Sequence, residues 1–256
     1  MTREYGSLIR LGLVVPPANS TVEPELAAFL PREAAIYATR LPGTVEHETG
    51  KGLDRRIEGY VASLPDVARS FGGMALDSIC LMHTGISYVV GSDQESGLRE
   101  TLALSGVDHA FVAASAIAET LVALECQRVA LVLPYPDWLC EAAVSYWEAC
   151  GLAVVDVARP PDVVSIYEIT PDEVIEAIGR LDMASAEAVV ITGTGMATYR
   201  AIESCAPTSE IPVISSNQCV AWQALSRRLA DGAELQGLTP PMRDLRARLD
   251  RVSGPA

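Results

Sequence analysis

The stretch "ICLMHTGIS", residues 79–87, decides the fold because it has a counterpart later in the chain. That counterpart is "VVITGTGMA", residues 189–197, where an apolar run is again followed by a short segment containing threonine and glycine. Gly193 stands in the second copy where His83 stands in the first, 110 residues earlier. This spacing exceeds the periods of solenoid repeats, so it indicates two similar lobes rather than a repeat array.

Two more pairs of segments extend the repeat. "GLVVPPANSTVEPELAAFL" at residues 12–30 resembles "ALVLPYPDWLCEAAVSYWE" at residues 130–148. "AFVAASAIAETLVAL" at residues 110–124 resembles "PVISSNQCVAWQAL" at residues 212–225. Because the segments recur in the same order, each half of the chain is expected to build a similar lobe.

Short β-branched runs alternate with longer segments of helical spacing. The predicted strands are residues 8–15, 34–41, 76–82, 109–114, 128–134, 152–160, 186–192 and 211–216. The predicted helices are residues 22–30, 53–72, 92–106, 116–125, 138–151, 170–182, 198–205 and 219–229. Pro65 is expected to break or kink its helix. Thr170, Pro171 and Glu173 have the spacing of an N-cap, a first-turn proline and a capping box.

This alternation predicts an α/β fold of two pseudo-symmetric Rossmann-like lobes with parallel sheets. We assign residues 1–117 plus 218–256 to the first lobe and residues 118–217 to the second. Open α/β sheets bind ligands beyond the carboxyl ends of their strands. Two lobes that face each other therefore place an active site in the cleft between them.

The overall charge argues against two classes of partner. The formal net charge is -14, so a basic surface for nucleic acid is absent and anionic membranes would repel the chain. A local pocket can still oppose this charge and accept an anionic substrate. The first ten residues, "MTREYGSLIR", lack the apolar core of a signal peptide, which predicts a cytoplasmic location.

The cysteines and glycines match no common cofactor motif. The six cysteines include no C-x-x-C pair and no zinc spacing, so we expect buried thiols and no metal. The "GTG" at residues 193–195 matches neither G-x-G-x-x-G nor a P-loop with its lysine.

Four loops are expected to line the cleft: "PPANST" and "HTGIS" in the first lobe, "PYPDW" and "GTGMAT" in the second. Thr84 and Thr194 are equivalent in the repeat, and each lies near a predicted helix start. Free N–H groups at helix starts bind anions, and a carboxylate is a natural guest. Simple helix capping by these hydroxyls is the competing interpretation.

His83 is the one ionisable side chain within the "HTGIS" and "GTGMAT" pair of loops. An imidazole that titrates near neutral pH suits proton transfer. The alternative is a hydrogen-bonded histidine at a strand end. His47 and His109 are interpreted as loop residues, and the absence of G-x-S-x-G gives no support for a hydrolase.

Three segments resemble a known group of proteins. "GLVVPPANSTVEPEL" is similar to the V-P-S-S-N-T-T-M-E-P-E-L opening of maleate cis–trans isomerases. "SSNQCVAWQAL", residues 215–225, is similar to the closing segment of those proteins and of arylmalonate decarboxylases. "LPY", residues 133–135, matches their tyrosine loop. The resemblance covers about residues 8–229 and points to the aspartate/glutamate racemase superfamily, whose two α/β lobes enclose the active site.

The resemblance implies cofactor-free chemistry at a carbon next to a carboxylate. It implies a carboxylate cradle of Asn19, Thr84 and Tyr135. Ser20 and Thr194 join this predicted cradle, with the backbone of Gly85, Gly193 and Gly195. The two catalytic cysteines of the group align with His83 and Gly193, so both thiols are replaced. Relatives often form dimers, so we expect a homo-oligomer.

These observations lead to one main hypothesis and two rivals. The main one is a cofactor-independent lyase or isomerase for a small carboxylate or dicarboxylate, with His83 as general acid or base and Tyr135 assisting. A single-base site favours decarboxylation, elimination, hydration or one-sided isomerisation over racemisation. The first rival is a catalytically retired carboxylate-binding or regulatory relative. The second is a nucleotide-dependent Rossmann enzyme, which the missing glycine fingerprint disfavours.

Overall fold

The computed structural model describes residues 4–43, 52–161, 165–230 and 235–253. These residues form two four-stranded sheets. The first sheet consists of β1 (Ile9–Val15), β2 (Ala34–Arg40), β3 (Ser78–Leu81) and β4 (Ala110–Val112). The second consists of β5 (Arg128–Val132), β6 (Ala153–Ala158), β7 (Ala188–Ile191) and β8 (Val213–Ser215).

Both sheets have the same topology. The strand orders are β2-β1-β3-β4 and β6-β5-β7-β8, and every pairing is parallel. β3 and β7 are buried along their whole length, as expected of strands covered by helices on both faces. The predicted α/β fold with two similar parallel lobes is therefore confirmed.

Ten helices surround the sheets in the described part of the chain. They are α1 (Val22–Phe29), α2 (Leu53–Arg69), α3 (Thr84–Val90), α4 (Glu95–Leu102), α5 (Ala113–Ala123), α6 (Asp137–Ala149), α7 (Pro171–Gly179), α8 (Tyr199–Cys205), α9 (Ser216–Ala230) and α10 (Pro240–Ser253). The capping box of Thr170 and Glu173 at the start of α7 is present as predicted.

Three local expectations need correction. α2 continues through Pro65, because the proline removes only one N–H donor while Ile57, Tyr60 and Leu64 stay buried on one face. The "HTGIS" segment, expected to be a loop, begins α3 directly after His83. α10 was not predicted at all.

The lobes share one core. α5 follows the first sheet, α9 follows the second, and the two helices pack against each other. Buried apolar residues of both sheets belong to one cluster with these helices. The lobe boundaries at residues 117/118 and 217/218 stay a prediction. Among the described residues, no helix is long and apolar enough to cross a membrane; the cytoplasmic location also stays a prediction.

Candidate active site

The carboxyl ends of four central strands supply the candidate residues. Asn19 follows β1, and His83 and Thr84 follow β3. Tyr135 follows β5 and Thr194 follows β7. All of these residues except His83 form hydrogen bonds across the lobes, in two pairs.

The first cross-lobe pair joins Asn19 to Thr194. The Asn19 side-chain Oδ1 caps α1 by accepting hydrogen bonds from the N–H groups of Thr21 at 3.0 Å and Val22 at 3.2 Å. Its Nδ2 is then directed into the second lobe and donates to Thr194 Oγ1 at 3.2 Å. Thr194 Oγ1 donates in turn to the carbonyl of Met82 at 2.8 Å. Asn19 and Thr194 are both buried.

The second cross-lobe pair joins Thr84 to Tyr135. Their hydroxyl oxygens lie 2.7 Å apart, and either can be the donor. Burial raises the pKa of Tyr135, although neighbouring Thr84 and Thr192 oppose that shift. The phenol therefore stays protonated at neutral pH and remains a hydrogen-bond donor.

His83 is the N-cap residue of α3. Its Nδ1 accepts a hydrogen bond from the N–H of Ile86 at 3.2 Å, and its ring lies 5.7 Å from the Tyr60 ring, centroid to centroid. Burial, with a smaller contribution from the charge of Arg56, lowers the pKa of His83 to about 4. The imidazole is therefore neutral at pH 7, and the accepting Nδ1 places its proton on Nε2.

The environment of His83 differs from the one expected from the sequence. A histidine that titrates near neutral pH was expected at this position. In the fold the ring is neutral there, and its one lone-pair nitrogen already holds a backbone N–H. It can act as a donor through Nε2–H as it stands, and as a base only in the other tautomer.

The glycines of the second-lobe turn occupy places with no room for a side chain. Gly193 has φ +93°, and a Cβ there would lie 2.8 Å from Pro134 Cγ and 3.2 Å from the Tyr135 hydroxyl. At Gly195 a Cβ would lie 2.7 Å from the Tyr167 ring. The turn therefore depends on glycine at both positions.

Other predicted residues are placed less centrally. Ser20 is exposed, and the N–H groups at the start of α1 bond to Asn19 instead. Gly85 is buried in α3, where a Cβ would lie 3.1 Å from the His83 ring. His109 Nδ1 is 2.9 Å from Ser78 Oγ, at the start of β3, whereas His83 follows the end of that strand. His47 falls outside the described residues.

No thiol is activated among the six cysteines. Burial raises the pKa of every one of them, and the group consists of Cys80, Cys126, Cys140, Cys150, Cys205 and Cys219. Cys80 and Cys219 are fully buried, in β3 and α9. Each thiol is therefore protonated at neutral pH, which is unfavourable for nucleophilic attack.

Sequence reasoning missed two residues that support the site. Glu25 of α1 is buried and accepts hydrogen bonds from the backbone N–H groups of Thr198 and Tyr199 and from the side chain of Asn217. Burial raises the pKa of Glu25, while these donors oppose the shift. Glu25 lies in the segment "VEPEL" and Asn217 in "SSNQ", but neither motif indicates that the two side chains form a hydrogen bond.

A model of the arylmalonate decarboxylase family matches residues 11–238 of this chain. The chain belongs to the arylmalonate decarboxylase family. The maleate isomerase of Nocardia farcinica is 32% identical over 231 residues, covering 84% of this chain and 88% of the relative. The maleate isomerase of Geobacillus stearothermophilus is 26% identical over 229 residues, covering 84% of this chain and 90% of the relative.

Solved structures of the family have the same two-lobe architecture. A variant of the Nocardia farcinica maleate cis–trans isomerase with a covalently bound succinylcysteine intermediate superposes with a TM-score of 0.79 at 28% identity, covering 93% of this chain and 98% of the other. Unliganded arylmalonate decarboxylase gives 0.72 at 20% identity, covering 91% and 96%, which supports the fold alone.

Proposed function

We propose that this member of the family is a cofactor-independent lyase or isomerase, which acts on a small acid at the carbon next to a carboxylate. Two cross-lobe hydrogen bonds support the proposal, one from Asn19 to Thr194 and one between Thr84 and Tyr135, with Thr194 also bonded to the carbonyl of Met82, two residues before Thr84. Relatives are named maleate isomerase, and a maleate complex of one such enzyme is known.

The cradle suits the charge that this chemistry creates. When a proton or carbon dioxide leaves the carbon next to a carboxylate, the electron pair moves onto the carboxylate oxygens. Hydroxyl and amide donors directed at the place where this charge develops stabilise it. Thr84 and Tyr135 approach from opposite lobes, so together they can donate to one carboxylate once they release each other.

The proton-transfer group in this proposal is His83 rather than a thiol. Position 83 carries histidine and position 193 carries glycine, and no cysteine of the chain has a lowered pKa. His83 is neutral and carries its proton on Nε2, so it can donate that hydrogen to negative charge developing on the substrate. Transfer of the proton to a carbanion leaves an imidazolate, which regains a proton from water. Acting as a base requires the ring to exchange its bond with Ile86 for an Nδ1–H tautomer.

An NMR screen in D₂O tests the proposal. Methylmalonate, phenylmalonate and maleate are incubated with the protein, and carbon dioxide loss, isomerisation and deuterium uptake are followed in each spectrum. The proposal expects conversion of at least one acid by the wild type and a loss of at least 100-fold in His83→Asn, which keeps an N-cap acceptor for α3.

The two informative outcomes point in different directions. An undiminished rate in His83→Asn would remove His83 from the mechanism while leaving the carboxylate cradle in place. Tight binding of an acid with no conversion of any acid would favour the retired, carboxylate-binding relative, which the engaged Nδ1 of His83 also fits.

A further inference from the structure

Glu25 connects the first lobe to the turn that carries Thr194. It lies in α1, yet its Oε1 accepts the N–H groups of Thr198 and Tyr199 at the start of α8, the latter at 2.7 Å. Its Oε2 accepts a hydrogen bond from Asn217 Nδ2. The carboxylate is buried with both oxygens engaged by donors of the second half of the chain.

Asn217 passes this connection on to the turn. Its Nδ2 donates one hydrogen to Glu25 and the other to the carbonyl of Thr194 at 3.1 Å. Its Oδ1 is buried and makes no hydrogen bond among the described residues. If the amide were flipped, its oxygen would face the carboxylate of Glu25 and the carbonyl of Thr194, which are both acceptors. The carboxylate of Glu25 therefore helps to fix the orientation of the Asn217 amide, even though the amide oxygen is left without a hydrogen bond.

The start of α1 holds the same turn at two further points. Thr21 Oγ1 donates to the carbonyl of Gly195 at 2.8 Å. Asn19 Nδ2 donates to Thr194 Oγ1. The turn at residues 194 and 195 is therefore positioned by three residues of one segment in the opposite lobe. Asn19 bonds directly to Thr194, Thr21 bonds directly to Gly195, and Glu25 acts through Asn217.

We infer that Glu25 is a positioning residue that holds the Thr194 turn in place from the first lobe, through the side-chain amide of Asn217. It touches no substrate and performs no proton transfer. The expectation that a loosened turn weakens carboxylate binding rests on the proposed function. The expectation that the turn becomes more mobile without Glu25 is independent of that function.

The chemistry requires a carboxylate at position 25 and not only a side chain of that size. Glu25→Gln retains an oxygen for the two α8 N–H groups but turns an NH₂ group toward Asn217 Nδ2, so two donors face each other. If the Asn217 amide flips to relieve this, its oxygen then faces the carbonyl of Thr194. Either arrangement removes a hydrogen bond that the wild type makes.

Hydrogen–deuterium exchange with peptide resolution tests the inference on the whole chain. In Glu25→Gln we expect peptides covering residues 192–198 to exchange at least ten-fold faster, with sheet peptides of the first lobe unchanged. Glu173→Gln is the matched control, because Glu173 is also a glutamate that accepts a backbone N–H bond at a helix start, in an exposed capping box. It should leave the 192–198 peptides unaffected.

A second variant covers the case in which Glu25→Gln does not fold. Asn217→Ser removes the donor to Thr194 while Glu25 keeps its two α8 donors, and the same local increase in exchange is expected. Unchanged exchange at residues 192–198, or an equal increase across the whole chain, overturns the inference.

Malonate titration, used as the ligand probe, separates this inference from the proposed function. If the wild type binds malonate, we expect about ten-fold weaker binding in Glu25→Gln and no change in Glu173→Gln, and equal affinities would overturn the positioning role. If the wild type fails to bind any small acid, the proposed function fails. The exchange result still decides the role of Glu25.

Discussion

The side-chain amide of Asn19 donates to the hydroxyl of Thr194 at 3.2 Å, although 175 residues separate them in sequence. Asn19 also caps the helix that follows it, so the same side chain orders its own lobe and contacts the other. This dual use explains how a short loop after a strand holds a fixed position against the other lobe. It also means that the helix cap and the cross-lobe contact cannot be altered independently at this residue.

Removing either hydroxyl of the Thr84–Tyr135 pair should weaken carboxylate binding. Thr84→Val and Tyr135→Phe preserve shape but delete a donor, so malonate affinity measured by calorimetry should fall about ten-fold or more in each. Thr101→Val, in which an exposed hydroxyl that bonds the carbonyl of Gly97 is removed, is the control and should bind as the wild type does. Equal affinities in all three variants would contradict the assignment of this pair to the cradle.

His83 should make stability depend on pH in a defined window. Its pKa is about 4 in the fold against an ordinary 6.5, so the unfolded chain binds more protons between these values. The contribution is thus fully present above about pH 6.5 and is lost as the pH falls toward 4. We expect about 1–2 kcal/mol over this range, since His83 is partly exposed and solvent reduces the effect.

Urea unfolding of the wild type and of His83→Asn at several pH values measures this contribution. Asparagine supplies an N-cap acceptor but does not titrate, so the difference in unfolding free energy isolates the histidine. The difference should change between pH 6.5 and 4.5 and stay constant above pH 7. Parallel curves would show that His83 is not held neutral by the fold.

A side chain at Gly193 should be strongly unfavourable. Gly193→Ala places a Cβ 2.8 Å from Pro134 in a backbone conformation with positive φ, so we expect a loss of about 2–4 kcal/mol in unfolding free energy. Gly179→Ala, where a Cβ meets nothing, should instead be neutral or stabilise by up to about 1 kcal/mol. Equal stabilities of the two variants would contradict the tight packing around the turn.

Thiol modification should leave ligand binding intact. Cys150 is the exposed cysteine among the described residues, and its pKa is raised by burial of the sulfur. Iodoacetamide at pH 7 should therefore label it slowly and in preference to the buried Cys80 and Cys219, as read from peptide masses. Malonate affinity should not change on labelling. A loss of malonate affinity in proportion to the alkylation of Cys80 would instead indicate a thiol-based site.

The fold was accessible from the sequence because its signals are local and repeated. Apolar runs of strand length, capping residues such as Thr170, and the matched segments around His83 and Gly193 each act over a few residues. They predicted eight strands, all of which the structure contains. α10 and the helix after His83 were missed, because the first lies beyond the repeat and the second begins within a segment interpreted as a loop.

The candidate site was accessible only in part. The repeat and the resemblance indicated Asn19, Thr84, Tyr135 and Thr194, and the structure joins them in two cross-lobe hydrogen-bonded pairs. Ser20 carried an equally suitable hydroxyl but is exposed, because side-chain direction at a helix start depends on the backbone that follows. Nothing in the spacing of Glu25 and Asn217 indicated that they share a hydrogen bond.

Local patterns along the chain are sufficient to predict the two-lobe α/β fold and the loops at the strand ends, because periodicity and repetition act over short stretches. Three properties emerge only when the chain is folded: His83 is neutral with its Nδ1 engaged, Gly193 has no room for a side chain, and Glu25 reaches the Thr194 turn. Those properties arise from burial and from contacts between residues far apart in sequence, which no local pattern records.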